Sequence, residues 1–322
     1  MVREPYLRGH ILKKLIGFLV SISMFMLLSM TVFAVEEGTV VVFGADLSAD
    51  ERATVLSLMD LTEADLSSCT VLTVTNEEEH KYLDGYIDSG VIGTRALTSV
   101  KMTPATPGSG ITVTTKNVNY CTTGMYRNAL LTAGVEDRDV LVVAPFPVSG
   151  TAGLIGAIKA YETSTGKNVS DKAVDTALDE MITTGDISEQ LEGVSNEDVE
   201  AFIAWLKSMI AAGKLDTSDE KSIISIMKEG EKKFGVALSD DEEQDIVKLL
   251  KKLDSLGLNG SYLISQAENL YNKYGSDIVN QASEAIDEAV SNAVSQASKN
   301  FFQSMKESVK SFFAGLFGRN KS

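Results

Sequence analysis

The chain has 322 residues, and 45 Asp and Glu against 29 Lys and Arg give it a formal charge of −16. That balance repels phosphate backbones, which argues against nucleic acid as a partner. Two cysteines and two histidines fall short of a ligand cluster with zinc spacing, so neither a metal nor a cofactor is implied.

Arg3, Arg8, Lys13 and Lys14 precede an apolar run from Leu15 to Phe33 that ends in Val32-Phe33-Ala34. Residues 1–34 therefore read as an export signal, and the Val-x-Ala end favours cleavage. The alternative is a retained anchor, since about 20 apolar residues span a bilayer. Cleavage would remove four basic residues and one acid, leaving 25 against 44 and a formal charge of −19. The expected location is extracellular, with association to the cell envelope left open. About 288 residues then remain, enough for two domains.

All five prolines lie in the first 147 residues, and the polar stretch Thr163 to Asn168 reads as a linker. Residues 35–165 are expected to form a mixed α/β sheet domain. Strands are predicted over Gly38–Phe43, Cys69–Thr75, Ala96–Met102, Ile111–Asn119 and Asp139–Ala144, where β-branched residues concentrate. Helices are predicted over Ser48–Met59, Asn76–Leu83, Thr122–Ala133 and Thr151–Tyr161. The turn "TPATPGSG" between the third and fourth strands is most simply a hairpin.

Residues 166–275 read as a helical bundle. Ser195-x-x-Asp198, Thr217-x-x-Glu220 and Ser239-x-x-Glu242 each set a hydroxyl three residues before a carboxylate and mark three helix starts. Residues 276–322 carry a long amphipathic helix, free of Gly and Pro from Ser276 to Ala314. Its end sets Phe301, Phe302, Phe312 and Phe313 beside Lys306 and Lys310. Such a face suits docking on a protein, self-association, or contact with an anionic membrane surface, with protein docking the more ordinary of these. The fold class is thus an α+β or α/β sheet domain followed by an all-α bundle.

Within the sheet domain, "VVAPFPVSGTAGL" runs a strand through a Pro-Phe-Pro turn into Ser149-Gly150-Thr151 at a helix start. Amides and hydroxyls there could receive a carboxylate or phosphate. The plainer reading makes Ser149 or Thr151 a helix cap. Arg95, one of few cations before Asn117, is either an anion clamp for that turn or a structural ion-pair partner. His80, the histidine left after the signal, sits among Glu77, Glu78 and Glu79 and reads as a solvated helix residue, which leaves a serine–histidine triad unsupported. Asp46, Asp50 and Glu51, like Asp240 to Glu243, sit in first turns and complement helix dipoles. Cys69 and Cys121 either join as a disulfide or remain thiols. No catalytic residue is assigned.

"GADLSADER", "TNEEEHKYLDG", "IGTRALTS" and "VVAPFPVSGTAGL" resemble the running motifs of the YpuA-like family of exported Gram-positive proteins, a domain of unknown function. The resemblance implies export and a common fold, and brings no activity, cofactor or catalytic residue. The expected function is a non-enzymatic envelope-associated interaction protein. The alternative is an extracellular hydrolase or transferase acting on wall polymers through the loops around Arg95 and Ser149 to Thr151.

Overall fold

The computed structural model describes residues 38–84, 92–211 and 213–257. The export signal expected over residues 1–34 and the helix expected over 276–322 lie outside these residues.

Five strands form one mixed sheet: β1 (Val40–Gly44), β2 (Thr70–Val74), β3 (Ser99–Pro104), β4 (Ile111–Val118) and β5 (Arg138–Val148), ordered β2-β1-β3-β5-β4. β1 runs parallel to β2 and β4 parallel to β5, while β3 lies antiparallel between β1 and β5. The mixed sheet expected from the alternation of strand and helix patterns is present, but the hairpin is not. β5 inserts between β3 and β4. The loop that joins them is tied to the residue before β5: Ala105 N–H donates to the Asp137 carbonyl and Gly110 N–H to its carboxylate, both at 2.9 Å. A connection of that length carries the chain past the start of β5 instead of folding it back on β3.

The Pro-Phe-Pro segment is also not a strand-ending turn. β5 continues to Val148, and the register jumps from Lys116↔Val143 to Val118↔Val148. Four residues thus bulge out opposite Asn117, whose amide donates to the Ala144 carbonyl at 2.9 Å. Pro145 and Pro147, which have no N–H to offer a ladder, fall where none is required.

Side chains alternate across the sheet. Val41, Phe43 and Val143 face helix α1 (Ala49–Leu58), which brings Val55, Leu56 and Met59. Val40, Val42, Val100, Val140 and Val142 face the opposite layer, built from α2 (Asn76–Leu83), α3 (Thr123–Thr132) and α4 (Ala152–Thr165). Ser48 and Thr75 begin α1 and α2 with reciprocal bonds to Glu51 and Glu78, and Gly166 ends α4 in the left-handed region at φ 67°.

Four further helices follow: α5 (Asp171–Gln190), α6 (Asn196–Ala211), α7 (Glu220–Phe234) and α8 (Asp240–Asp254). Two of the three expected starts hold, with Ser195 bonded reciprocally to Asp198 and Ser239 to Glu242. The third moves by two residues: Asp219 caps α7, while the Thr217 hydroxyl donates to Asp254 in α8. Phe202, Trp205 and Phe234 centre the core of α6 to α8, with Phe234 6.2 Å from Phe202 and 6.0 Å from Trp205 between ring centroids. Burying each such ring contributes roughly 1.5–3 kcal/mol.

α5 serves both layers. Val174, Ala177, Leu178, Met181 and Ile182 pack in the core under the sheet, and Ile187 joins the core of α6 to α8. Its partner α6 sends Lys207 inward to Glu180 of α5 at 2.8 Å and to the Asn128 carbonyl of α3 at 3.0 Å. The pair is 2% and 0% exposed. Among the described residues no helix is long and apolar enough to cross a membrane.

Candidate functional site

Because β1, β2, β4 and β5 run one way and β3 the other, the loops after four strands and the approach to β3 gather at one edge of the sheet. That carboxyl edge is where α/β sheets commonly place ligands. It holds Asp46 after β1, Asn76 and Glu79 in α2, Arg95 before β3, Cys121 after β4, and Ser149 to Thr151 after β5.

The turn at 149–151 is filled from within. Gly150 sits at φ 94°, and a Cβ there would lie 2.4 Å from Val118 Cγ1 and 2.7 Å from the Tyr126 hydroxyl. That hydroxyl donates to the Gly150 carbonyl, and Cys121 N–H donates to the Ser149 carbonyl at 3.0 Å. Tyr126 is fully buried, and burial drives its phenol far above its ordinary pKa. Thr151 is 1% exposed, adopts helical φ and ψ, and makes no side-chain cap bond. The expectation that Ser149 or Thr151 caps the helix therefore fails, because the residue before α4 is already wound into the helix and a hydroxyl there cannot turn back onto it.

The group that the chain places beside this helix end is Glu79. Its carboxylate accepts from the Asn76 amide at 3.3 Å and lies near the backbone of Ala152, the first residue of α4, whose N–H opposes the rise in its pKa. Glu79 is 3% exposed, and burial raises its pKa to about 7, with nearby Asp46 adding to the rise and the bonds from Asn76 and Ala152 opposing it. Helix N-termini favour negative charge, and the carboxyl group that the chain itself brings beside α4 takes the place that the sequence offered to an external anion.

Arg95 turns the other way. Its Nη2 donates to Glu51 at 2.6 Å and to the Asp46 carbonyl at 2.7 Å, tying the approach of β3 to α1. The bond from Arg95, joined by those from Ser48, holds Glu51 down to about 2. Of the two readings of Arg95, the ion pair is the one the structure contains. Asp46 accepts the Ala96 N–H at 2.7 Å, so this acidic cluster closes loops on the sheet edge as well as complementing α1.

His80 lies beside this cluster but is turned outward. Its Nδ1 meets Asp84 at 2.8 Å and its Nε2 meets the Gly93 carbonyl at 3.2 Å, and both contacts raise its pKa. The disulfide alternative is corrected by the sheet itself. Cys69 packs with the α1 layer and Cys121 with the opposite layer, so the strands stand between two free thiols. Burial pushes the Cys121 thiol up to about 12, which makes it inert at neutral pH.

Sequence reading grouped Glu79 with its solvated neighbours and missed it. The signal was its place four residues before Leu83, which puts it on the buried side of α2. The association residues Phe301, Phe302, Phe312, Phe313, Lys306 and Lys310 lie outside the described residues.

Residues 43–270 match the model of a family described as protein of unknown function (DUF1002). The chain is 37% identical over 235 residues to the uncharacterized protein YpuA of Bacillus subtilis (strain 168), a match covering 73% of this chain and 78% of that protein. No solved structure matches it. With its strand edge, helices and most of its length inside that match, the chain belongs to the DUF1002 family.

Proposed function

We propose that the protein is an exported, envelope-associated interaction protein that works by protein contact rather than catalysis. One observation carries this reading: the groups at the carboxyl edge that would hold a substrate anion are engaged with the chain itself. Glu79 meets the start of α4, Tyr126 the Gly150 carbonyl, and Glu51 the Arg95 guanidinium. Export rests on the basic and apolar run of residues 1–34, and the acidic charge suits a protein that stays dissolved among anionic polymers. Contact is assigned to the basic, Phe-rich end around Phe301, Phe302, Lys306, Lys310, Phe312 and Phe313, docking on a partner protein or a second copy.

The enzymatic alternative, a hydrolase or transferase of wall polymers, gains one point: a carboxyl held near pH 7 suits general acid or base work. Its 3% exposure counts against it, since a reacting group must reach the proton it transfers.

The test uses the mature chain, residues 35–322, as bait on envelope extracts, beside the double variant Phe312→Ser/Phe313→Ser. A defined partner or a second copy retained by the native chain and lost by the variant supports the reading. Salt-sensitive binding to anionic vesicles, with no protein retained, would replace it with lipid attachment. Turnover of wall polymers that Glu79→Gln abolishes would replace it with an enzyme.

A further inference from the structure

The two outer strands of the sheet, β2 and β4, differ in how they end it. β4 carries Lys116, and a bulge breaks its pairing at Asn117, two devices that blunt an edge. β2, Thr70-Val71-Leu72-Thr73-Val74, has no charge, no proline and an unbroken register against β1. The bonds at its two ends fix which groups face outward. Thr70 N–H donates to the Thr39 carbonyl and Ala45 N–H donates to the Val74 carbonyl, so Thr70, Leu72 and Val74 turn their backbone to β1. Val71 and Thr73 turn theirs away, and no strand among the described residues pairs with that side. The Val71 side chain is 41% exposed.

The surroundings of this edge select an occupant by charge. Lys159 of α4 donates to the outward Thr73 carbonyl at 2.6 Å and to Glu78 at 2.7 Å, which leaves that carbonyl a second lone pair. Lys159 and Glu78 also line a cleft of about 450 Å³, together with Tyr82, Glu162 and Asp171 among others. Edge and cleft therefore adjoin, and in the cleft three carboxylates stand against one ammonium that Glu78 already holds. Glu77, exposed in the first turn of α2, adds a further negative charge nearby. Leu72 points to the α4 layer, so a residue set opposite it on an added strand points to that layer too.

We propose that β2 takes up an extended, lysine- or arginine-rich segment of a partner protein as an added strand, pairing through Val71 and Thr73, with one basic side chain reaching the cleft of Glu78, Glu162 and Asp171. Main-chain bonds supply the affinity of such a pairing, and the side-chain pocket supplies its selectivity. A second copy of the chain would bring its own formal charge of −16 to the same acidic edge, which opposes self-pairing. This surface is separate from the contact proposed for the Phe-rich end, and either can fail without the other.

The probe is an N-acetylated octapeptide of alternating lysine and threonine, titrated into residues 35–322 and followed by residue-resolved amide hydrogen exchange. Exchange at Val71 and Thr73 should slow about tenfold or more, while Leu72, whose backbone faces β1, changes little. Val71→Pro removes an outward N–H and no bond to β1, so it should weaken binding about tenfold with the circular dichroism unchanged. The same peptide N-methylated throughout keeps its charge but has no N–H to donate, and it should bind the native chain about tenfold more weakly. Equal binding of a glutamate–threonine octapeptide, no binding of the lysine peptide, or binding that leaves Val71 and Thr73 unprotected would overturn the proposal. So would protection of these two amides before any peptide is added, whether in a monomer or in a dimer.

Discussion

Of the ion pairs that join parts of this chain distant in sequence, two are set apart by their surroundings. Lys207 and Glu180 lock α6 to α5 and α3 where water does not reach, 2% and 0% exposed. Arg95 and Glu51 tie β3 to α1 at the sheet edge, 44% and 19% exposed. In the first, burial pulls the lysine pKa down while Glu180 holds the ammonium in place. In the second, water screens both charges and the pair mainly fixes a loop. A buried pair is strongly sensitive to loss of one partner, because the other charge is then stranded.

The largest effect is therefore expected at the junction. Lys207→Met should lower the unfolding free energy by about 3–5 kcal/mol in urea titration, and adding Glu180→Leu should recover most of it. A single variant as stable as the native chain would show that the junction does not depend on the pair. Next comes Gly150→Ala, which must place a Cβ against Val118 and Tyr126 at φ 94° and should cost about 2–3 kcal/mol. Little change there would mean that the 149–151 turn has room for a ligand after all.

Glu79 ranks third, and its effect depends on pH. Its folded pKa, about 7, lies above the ordinary 4.5, so the unfolded chain ionises first. Stability from this group is complete below about pH 4.5 and falls as pH rises toward 7, by on the order of 2 kcal/mol. His80, also raised, loses its contribution as pH climbs above its ordinary 6.5, so the two are separated between pH 4.5 and 6. In that window Glu79→Gln should flatten the slope of melting temperature against pH, whereas an unaltered slope would remove Glu79 from the account. The smallest effect belongs to Arg95→Ala. Glu51, held near 2, contributes above its ordinary 4.5 and loses that contribution as pH falls toward 2. The variant should be slightly less stable than the native chain at pH 7 and converge with it as pH falls toward 2 on acid titration.

The same contrast explains what the sequence disclosed. Local grammar was legible: Ser195 with Asp198 and Ser239 with Glu242 are reciprocal caps set by spacing alone, while the start read at Thr217 lies at Asp219. The stretches "FGADLSADE" (Phe43 to Glu51) and "FGVALSDDE" (Phe234 to Glu242) use that grammar twice, once after a strand and once after a helix. Long-range pairings were not. β5 between β3 and β4 is decided by Asp137 holding both ends of a loop, and no periodicity records that. Position in the strand pattern located Ser149 to Thr151, but not that Glu79, 73 residues earlier than Ala152, would fill the helix end. Lys207 reads as one more surface lysine until α3 and α5 are in place around it.

The claim that the carboxyl edge is closed by the chain's own carboxylate is tested most directly by following the Glu79 side chain in a carbon-13 NMR titration of residues 35–322. A midpoint near 7 is expected, unmoved by millimolar phosphate, with the Ser149 to Ala152 amides equally unmoved. A midpoint near the ordinary 4.5, together with phosphate-dependent shifts of those amides, would contradict it and reopen the edge as a binding site.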